Sequence, residues 1–380
     1  MINYRSQIVK HAIEDQPDGS RPVRQRLAAI RLSDGQEIPI TPNEDQYEVL
    51  ASLRDPIIYE NHTQFSDEDL KEAMVKEMRS LEDFETKEDV STSTLDYHTV
   101  QQAMTLLWVH IWKGFVKSRL CVRGYKKEVT SLDGTYASTP VIYILRILLI
   151  IALSRNWMIH FFDISTAFLH APLCSEDPIY VWPPTEFYPN KDTLWRLKKA
   201  MYGLRSASRD WQTHWASILI SIGFPRLQSD DNVAMHLELV VYILAYVDDL
   251  MIIGTLQSLR QILLQLQKHF LIKETGDLDH EGSTVTFLGR HLTRSGDSIK
   301  FKTKEDYLME EFTDYNLNKC QRATTPGTSS IKRPTDGMNI LTTEEHSRYR
   351  RTVGRLQWIA PVRPDLCYAV KKLARSLPAP

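Results

Sequence analysis

Two adjacent carboxylates, Asp248 and Asp249, follow Tyr246-Val247 between the apolar runs 239–245 and 250–254. Short apolar runs bounded by polar residues are typical of buried strands, so the acidic pair falls at the turn of a hairpin. Two carboxylates about 4 Å apart repel by about 4 kcal/mol at an effective dielectric of about 20. Divalent cations would offset that repulsion and would suit phosphoryl transfer. The alternative is an ordinary acidic turn, because Asp is a common turn residue.

A metal site would need a further ligand from a second element, and Asp163 is the candidate. It follows the apolar run 157–162 and would face the hairpin if the two strands were neighbours in one sheet. Three carboxylates are hard oxygen ligands, which suit Mg²⁺ or Mn²⁺ better than zinc. Alone, Asp163 would be an ordinary strand-end or helix-cap residue. The prediction of a metal site therefore depends on its combination with Asp248 and Asp249.

A local basic cluster lies within residues 113–127, which contain no acid: Lys113, Lys117, Arg119, Arg123, Lys126 and Lys127. The alternation along residues 117–123 predicts a strand with one cationic face, which could neutralise a triphosphate or a nucleic-acid backbone. A solvated basic surface is the alternative. A second basic segment, 196–209, is interleaved with Trp195, Tyr202, Trp211 and Trp215. That mixture favours contact with a nucleic-acid strand, although core packing of each aromatic residue is an equally good interpretation.

The elements that must position these residues are strands interleaved with helices around a central hairpin, which predicts an α+β chain. Helical periodicity runs from Asp67 through Leu81, over residues 256–270 and again over residues 349–377. The apolar stretch 141–153 is too short to span a membrane and predicts a buried helix. Residues 1–65 are rich in charges and turn signals, so we expect a poorly ordered lead-in there.

Composition excludes little. The length of 380 residues predicts two or three domains, and the formal net charge of −2 gives no global sign of nucleic-acid binding. Any basic surface must therefore be local. The four cysteines are well separated and are typical of free thiols in a reducing compartment.

An ordered series of motifs resembles the reverse transcriptases of copia-type long-terminal-repeat retrotransposons. The matching segments cover about residues 70 to 375 and are 117–125, 162–170, 179–187, 197–205, the acidic hairpin, 287–289, 349–356 and 363–366. The resemblance implies a right-hand polymerase with fingers, an antiparallel-sheet palm flanked by helices, and a partial thumb or connection. It places fingers and palm in residues 66–320 and the thumb or connection in residues 321–380, with RNase H absent.

The resemblance also implies roles for single residues. Asp163 and Asp248 would hold two Mg²⁺ (or Mn²⁺) ions, supplemented by Asp249 and by the carbonyl of Ile164. The nucleotide-binding set would be Lys117 and Arg119 on the triphosphate, Phe168 excluding a 2′-hydroxyl, and Lys273 as proton donor to pyrophosphate. Contacts with nucleic acid are expected from Arg205, Tyr246, Phe287, Leu288 and Gly289.

The implied activity is RNA-directed DNA synthesis, in which deoxynucleotides are added to a primer 3′-hydroxyl. The partners would be an RNA or DNA template with its primer, dNTPs and other segments of a Pol polyprotein, with no membrane. The setting would be a cytoplasmic particle or the nucleus. Three positions depart from the family pattern: Glu186 replaces a usual glycine, Ser206 a usual glutamine and Ser208 a usual proline. The rival hypothesis is therefore an inactive remnant that at most binds nucleic acid. A metal-dependent nuclease would leave the basic cluster and Phe168 unexplained.

Overall fold

The computed structural model describes residues 65–124, 142–175, 177–225, 230–303, 305–317, 320 and 341–377, and three short strands nearer the N-terminus. The expected lead-in, residues 1–65, lies almost wholly outside the described residues, as do Lys126 and Lys127 of the basic cluster. Contacts divide the chain into two units. One is Lys10–Gly276, and the other is Asp277–Pro380 with Met1–Val9.

The strands, in chain order, are β1 (Ile8–Lys10), β2 (Ala28–Arg31), β3 (Glu37–Ile40), β4 (Lys87–Ser91), β5 (Leu106–Trp112), β6 (Val116–Val122), β7 (Met158–Ile164), β8 (Ile179–Val181), β9 (Thr193–Leu197), β10 (Val233–His236), β11 (Val241–Tyr246), β12 (Asp249–Gly254), β13 (Ile272–Asp277), β14 (Thr284–Phe287), β15 (Arg290–Ser295) and β16 (Ser298–Lys302). The α-helices are α1 (Asp67–Asp83), α2 (Tyr97–Gln102), α3 (Ile142–Ser154), α4 (Ala167–His170), α5 (Ala207–Ser221), α6 (Leu256–Leu266), α7 (Met309–Asp314), α8 (Thr343–Ile359) and α9 (Cys367–Ala374).

The largest sheet of the Lys10–Gly276 unit has five strands in the order β10-β11-β12-β7-β13. β10 pairs with β11, β11 with β12 and β12 with β7, each antiparallel. These strands carry apolar residues on both faces, and residues such as Ile159, Phe161, Ile243 and Ile252 are fully buried. The predicted hairpin and its pairing with the strand that ends in Asp163 are therefore confirmed.

The smaller sheets of this unit include β4-β9-β8 and the β5-β6 hairpin, both antiparallel, and β2 pairs with β3 nearer the N-terminus. Helix α1 packs against β6. It begins where Ser66 accepts a hydrogen bond from the Asp69 amide, and three acids occupy its first turn, where they complement the helix dipole. Its buried side consists of Ala73, Glu77, Met78 and Leu81. The helical spacing predicted from Asp67 to Leu81 is confirmed.

Helix α3 differs from the prediction of a buried helix. Leu145, Leu148, Leu149 and Ala152 are buried, whereas the apolar residues Tyr143, Ile147 and Ile150 on its other side are exposed. The prediction was wrong because a helix that is apolar on nearly all sides carries little sequence signal for which face packs. No helix among the described residues combines the length and apolarity needed to cross a bilayer.

The Asp277–Pro380 unit contains the antiparallel meander β14-β15-β16 and helices α7, α8 and α9. The guanidinium of Arg290 stacks on Trp358, with 4.3 Å from Cζ to the ring centroid, and donates a hydrogen bond to the Trp358 carbonyl. Arg355 forms a salt bridge with Glu311 at 2.6 Å. The helical periodicity of residues 349–377 is divided between α8 and α9, because two short 3₁₀ turns that begin near Pro361 and Pro364 separate them.

The described chain is thus a mixture of helices and antiparallel sheets, and the predicted α+β class is confirmed at that level.

Candidate active site

The turn between β11 and β12 is a two-residue loop, Val247-Asp248, closed by the pair Tyr246 and Asp249. Val247 has a φ of 53°, a left-handed conformation that β-branched residues rarely adopt. Two hydrogen bonds hold the loop in place. The indole N–H of Trp211 donates to the Val247 carbonyl at 2.9 Å, and the Ile164 amide donates to the Asp248 carbonyl at 2.8 Å. The backbone of the turn is therefore fixed by α5 on one side and by the end of β7 on the other.

Asp163 lies on β7 directly opposite Asp249 on β12. Burial raises the pKa of the Asp163 carboxyl, and the nearby charge of Asp248 raises it further. Lys117, Lys113 and Arg119 act in the opposite direction. The structure thus brings Asp163 and Asp248 close enough to repel each other, in a half-buried place where a cation would relieve the repulsion.

The carboxylates of Asp163 and Asp248 fit a magnesium-type ion as a partial set of ligands. Within the described part of the chain, no group of three or more His, Cys, Asp or Glu side chains is arranged to hold a metal ion. Mg²⁺ is usually bound by one or two carboxylates together with substrate phosphates, and not by a complete protein cage. Asp163 and Asp248 match that smaller set, and their oxygen donors suit a hard cation.

Lys117 and Arg119 of β6 lie within electrostatic reach of these acids. The charge of Asp163 acts on Lys117, and that of Asp248 acts on Arg119. Arg119 is only 8% exposed, so it is not part of a solvated basic face. Burial lowers the pKa of Lys117, and the neighbouring cations Arg119 and Lys113 lower it further. A polyanionic ligand at this place would relieve the crowding of positive charge.

The sequence did not predict a role at the site for Glu77, which interacts with both Lys117 and Arg119. Its carboxylate accepts a hydrogen bond from the Leu120 amide at 3.3 Å and interacts electrostatically with Arg119 and Lys117. Burial raises the pKa of Glu77, whereas the amide and the two cations oppose that change. The only signal in the sequence was an acid on the apolar side of a predicted helix.

The aromatic residues of the second basic segment belong to the core. Trp195, Trp211, Trp215 and Tyr202 are each no more than 8% exposed, so the core-packing interpretation holds for all four. Arg205 donates a hydrogen bond from Nε to the Gly124 carbonyl at 3.1 Å.

The remaining predicted residues have varied surroundings. Phe168 is buried against Tyr202, Tyr246 is half-buried in β11, and Lys273 is exposed on β13. In the other unit, Leu288 and Gly289 form the two-residue turn between β14 and β15. Both have positive φ, 48° and 72°, as a type I′ turn requires. Phe287 is buried at the end of β14.

Residues 94–329 match the family described as "Reverse transcriptase (RNA-dependent DNA polymerase)". The chain is 32% identical over 271 residues to the retrovirus-related Pol polyprotein from transposon RE2 of Arabidopsis thaliana, and 32% identical over 272 residues to that from transposon RE1. It is 28% identical over 279 residues to the Pol polyprotein from transposon TNT 1-94 of Nicotiana tabacum. Each alignment covers 70% of this chain, but only 18% of the RE2 and RE1 polyproteins and 20% of the tobacco one.

Proposed function

Because the chain belongs to the reverse transcriptase (RNA-dependent DNA polymerase) family found in copia-type retrotransposon Pol polyproteins, we propose that it is an RNA-directed DNA polymerase. It would add deoxynucleotides to the 3′-hydroxyl of a primer on an RNA or DNA template. The observation that carries this proposal is the pairing of two strand ends, which sets Asp163 opposite Asp249 and close to Asp248. The basic side chains of Lys117 and Arg119 lie within reach of the same carboxylates.

In this proposal Asp163 and Asp248 hold two divalent ions, Mg²⁺ or Mn²⁺, with help from Asp249 and the Ile164 carbonyl. Such ions, when bound, stabilise the charge that develops on the attacking, transferred and leaving oxygens. The protein's own contribution is to keep the two carboxylates at a fixed separation. The hydrogen bonds to the carbonyls of Val247 and Asp248 support that role.

The nucleotide would be held by other side chains. Arg119 and Lys117 bind the triphosphate as cations, and the ring of Phe168 occupies the space that a 2′-hydroxyl would need. Lys273 carries a proton on Nζ for the departing pyrophosphate. Arg205, Tyr246, Phe287 and the Leu288-Gly289 turn contact the template or the primer. The resemblance of their motifs to the family supports these assignments.

We assign the palm to the five-stranded sheet with its helices, and the fingers to the elements around β5-β6. The thumb or connection would occupy residues 321–380, of which 341–377 lie within the described residues. The contact-based division of the chain falls earlier, between Gly276 and Asp277.

The proposal predicts that Asp248→Asn abolishes primer extension while the protein still folds, because an amide cannot hold a divalent cation as a carboxylate does. The assay uses an RNA template, a DNA primer, dNTPs and Mg²⁺ or Mn²⁺, with circular dichroism to check folding. Asp297→Asn is the matched control, since Asp297 is also the second residue of a two-residue hairpin loop, between β15 and β16. Synthesis by Asp248→Asn at the rate of the control would overturn the metal assignment.

The rival function, an inactive remnant that binds nucleic acid, rests on Ser206. This residue stands at the N-cap of α5, and its hydroxyl makes no capping hydrogen bond. The same assay separates the two functions. If both the unsubstituted protein and Asp248→Asn fold and bind primer–template but neither extends the primer, the result would favour the remnant. Ser206→Gln would then be the first substitution to test for restored synthesis.

A further inference from the structure

Three side chains from separate parts of the chain form a continuous series of contacts at the candidate active site. The guanidinium of Arg119 lies over the ring of Tyr202, with 4.6 Å between Cζ and the ring centroid. The ring of Phe168 meets the same tyrosine edge-on, with centroids 5.2 Å apart and planes at 70°. All three side chains are 8% exposed. Tyr202 therefore touches both the cation assigned to the triphosphate and the ring assigned to the sugar.

The backbone of Tyr202 is fixed to the strand that carries Arg119. The Val122 amide donates a hydrogen bond to the Tyr202 carbonyl at 2.7 Å. Gly203 has a φ of 86°, and a Cβ at this position would lie 2.1 Å from the Val122 carbonyl oxygen. A Cβ on Gly124 would lie 2.4 Å from the Gly203 carbonyl oxygen. The two segments approach so closely that only glycine fits at either contact.

We propose that Tyr202 is a positioning residue that holds Arg119 and Phe168 in one arrangement, so that triphosphate binding and ribose exclusion depend on the same side chain. This inference rests on the proposed polymerase function and adds a residue that acts through two others. The ring supplies the interaction in both directions: its face attracts the guanidinium, and its contact with Phe168 is an edge-to-face pair. Both contacts are made by the aromatic ring.

The inference separates the effects of two substitutions. Tyr202→Phe keeps the ring and should leave nucleotide KM and sugar discrimination within about twofold of the unsubstituted protein, because the ring makes both contacts. Tyr202→Leu removes the ring. It should raise the KM for dATP by about tenfold, and it should lower the ratio of kcat/KM for dATP to that for ATP by a similar factor, because both partners lose their support.

The measurement is single-nucleotide incorporation on one primer–template, with dATP and ATP compared for each variant. A variant that is only less stable contains fewer active molecules, which lowers the apparent kcat but changes neither KM nor the discrimination ratio. Phe224→Leu is the control for loss of a buried ring, since Phe224 is 1% exposed and packs on His236. It should show an unchanged KM and an unchanged ratio.

The outcomes of this experiment distinguish the positioning role of Tyr202 from the proposed polymerase function on which it rests. A rise in KM and a fall in the ratio for Tyr202→Leu, with values near those of the unsubstituted protein for Tyr202→Phe, would support the positioning role. Extension by the unsubstituted protein with unchanged KM and ratio in Tyr202→Leu would overturn the inference alone, and so would equal defects in both Tyr202 variants. A folded, unsubstituted protein that shows no extension would overturn the proposed function and this inference with it.

Discussion

At the scale of single residues, Val247 has a strained backbone conformation in the candidate site. A left-handed conformation costs a residue other than glycine about 1–2 kcal/mol, and Val247 adopts it at the loop that presents Asp248. Trp211 and Ile164 supply the hydrogen bonds that hold this conformation. Strain kept at a loop that carries a functional carboxylate is consistent with a position selected for geometry and not for stability.

Val247→Gly should therefore raise the free energy of unfolding slightly, by up to about 1 kcal/mol, because the relieved strain exceeds the extra chain entropy of glycine. Primer extension should fall between about tenfold and about 100-fold, since a looser turn misplaces Asp248. Val240→Gly is the matched control, because Val240 also has a positive φ, 51°, but lies in the loop between β10 and β11. Urea unfolding and extension rates measure both effects, and equal losses of activity in the two variants would contradict the prediction.

At the scale of elements, the one-turn helix α4 ends in a half-buried histidine, His170, beside the site. His170 packs edge-on against Phe84 and Phe270 and lies 3.2 Å from the Ser165 carbonyl. Burial, followed by the charges of Lys199 and His214, lowers the pKa of His170 to about 4, although the Ser165 carbonyl opposes the change. Below about pH 6.5 the imidazole of His170 takes up a proton in the unfolded chain but not in the folded chain. The free energy of unfolding therefore falls as the pH falls toward about 4.

His170→Phe should weaken this pH dependence. Between pH 7 and pH 5 the unsubstituted protein should lose about 1 kcal/mol more stability than the variant, a figure reduced to allow for the partial exposure of His170. Burial also lowers the pKa of His214, so some dependence should remain. Urea unfolding at the two pH values measures the difference, with His98→Phe at an exposed position as control. If the free energy of unfolding depends equally on pH in His170→Phe and in the unsubstituted protein, the pH dependence does not come from His170.

Elements with strong local patterns were predictable from the sequence. The period of α1 and the apolar runs of β7, β11 and β12 are local signals, and they located the strand ends that carry the carboxylates. The burial of Arg119 and the contacts of Tyr202 with Arg119 and Phe168 were not predictable, because these residues are distant from one another in sequence. Helix α6 ends at Leu266, four residues before the predicted end at Phe270, and no glycine or proline near this point marks the boundary.

At the scale of the whole molecule, the two units each have their own contacts. Units of this kind need not unfold together, so we expect two unfolding transitions instead of one. Calorimetry should give a van't Hoff enthalpy below the calorimetric one, and a ligand-free urea curve should differ between probes placed in Lys10–Gly276 and in Asp277–Pro380. Coincident curves and equal enthalpies would show a single cooperative unit.

The pairing of β7 with β12 has a consequence for how this chain can change by mutation. Asp163 meets Asp249 only because Phe162 meets Leu250 one step earlier, and so on along the strand. Side chains alternate between the two faces of a sheet, so inserting or deleting one residue in β7 would turn Asp163 to the opposite face. A substitution in β7 changes one side chain and leaves the pairing register intact. A change in the length of β7 shifts the register of every residue that follows it. A change in the number of residues between Met158 and Asp163 should therefore displace the carboxylate as completely as a substitution would remove it.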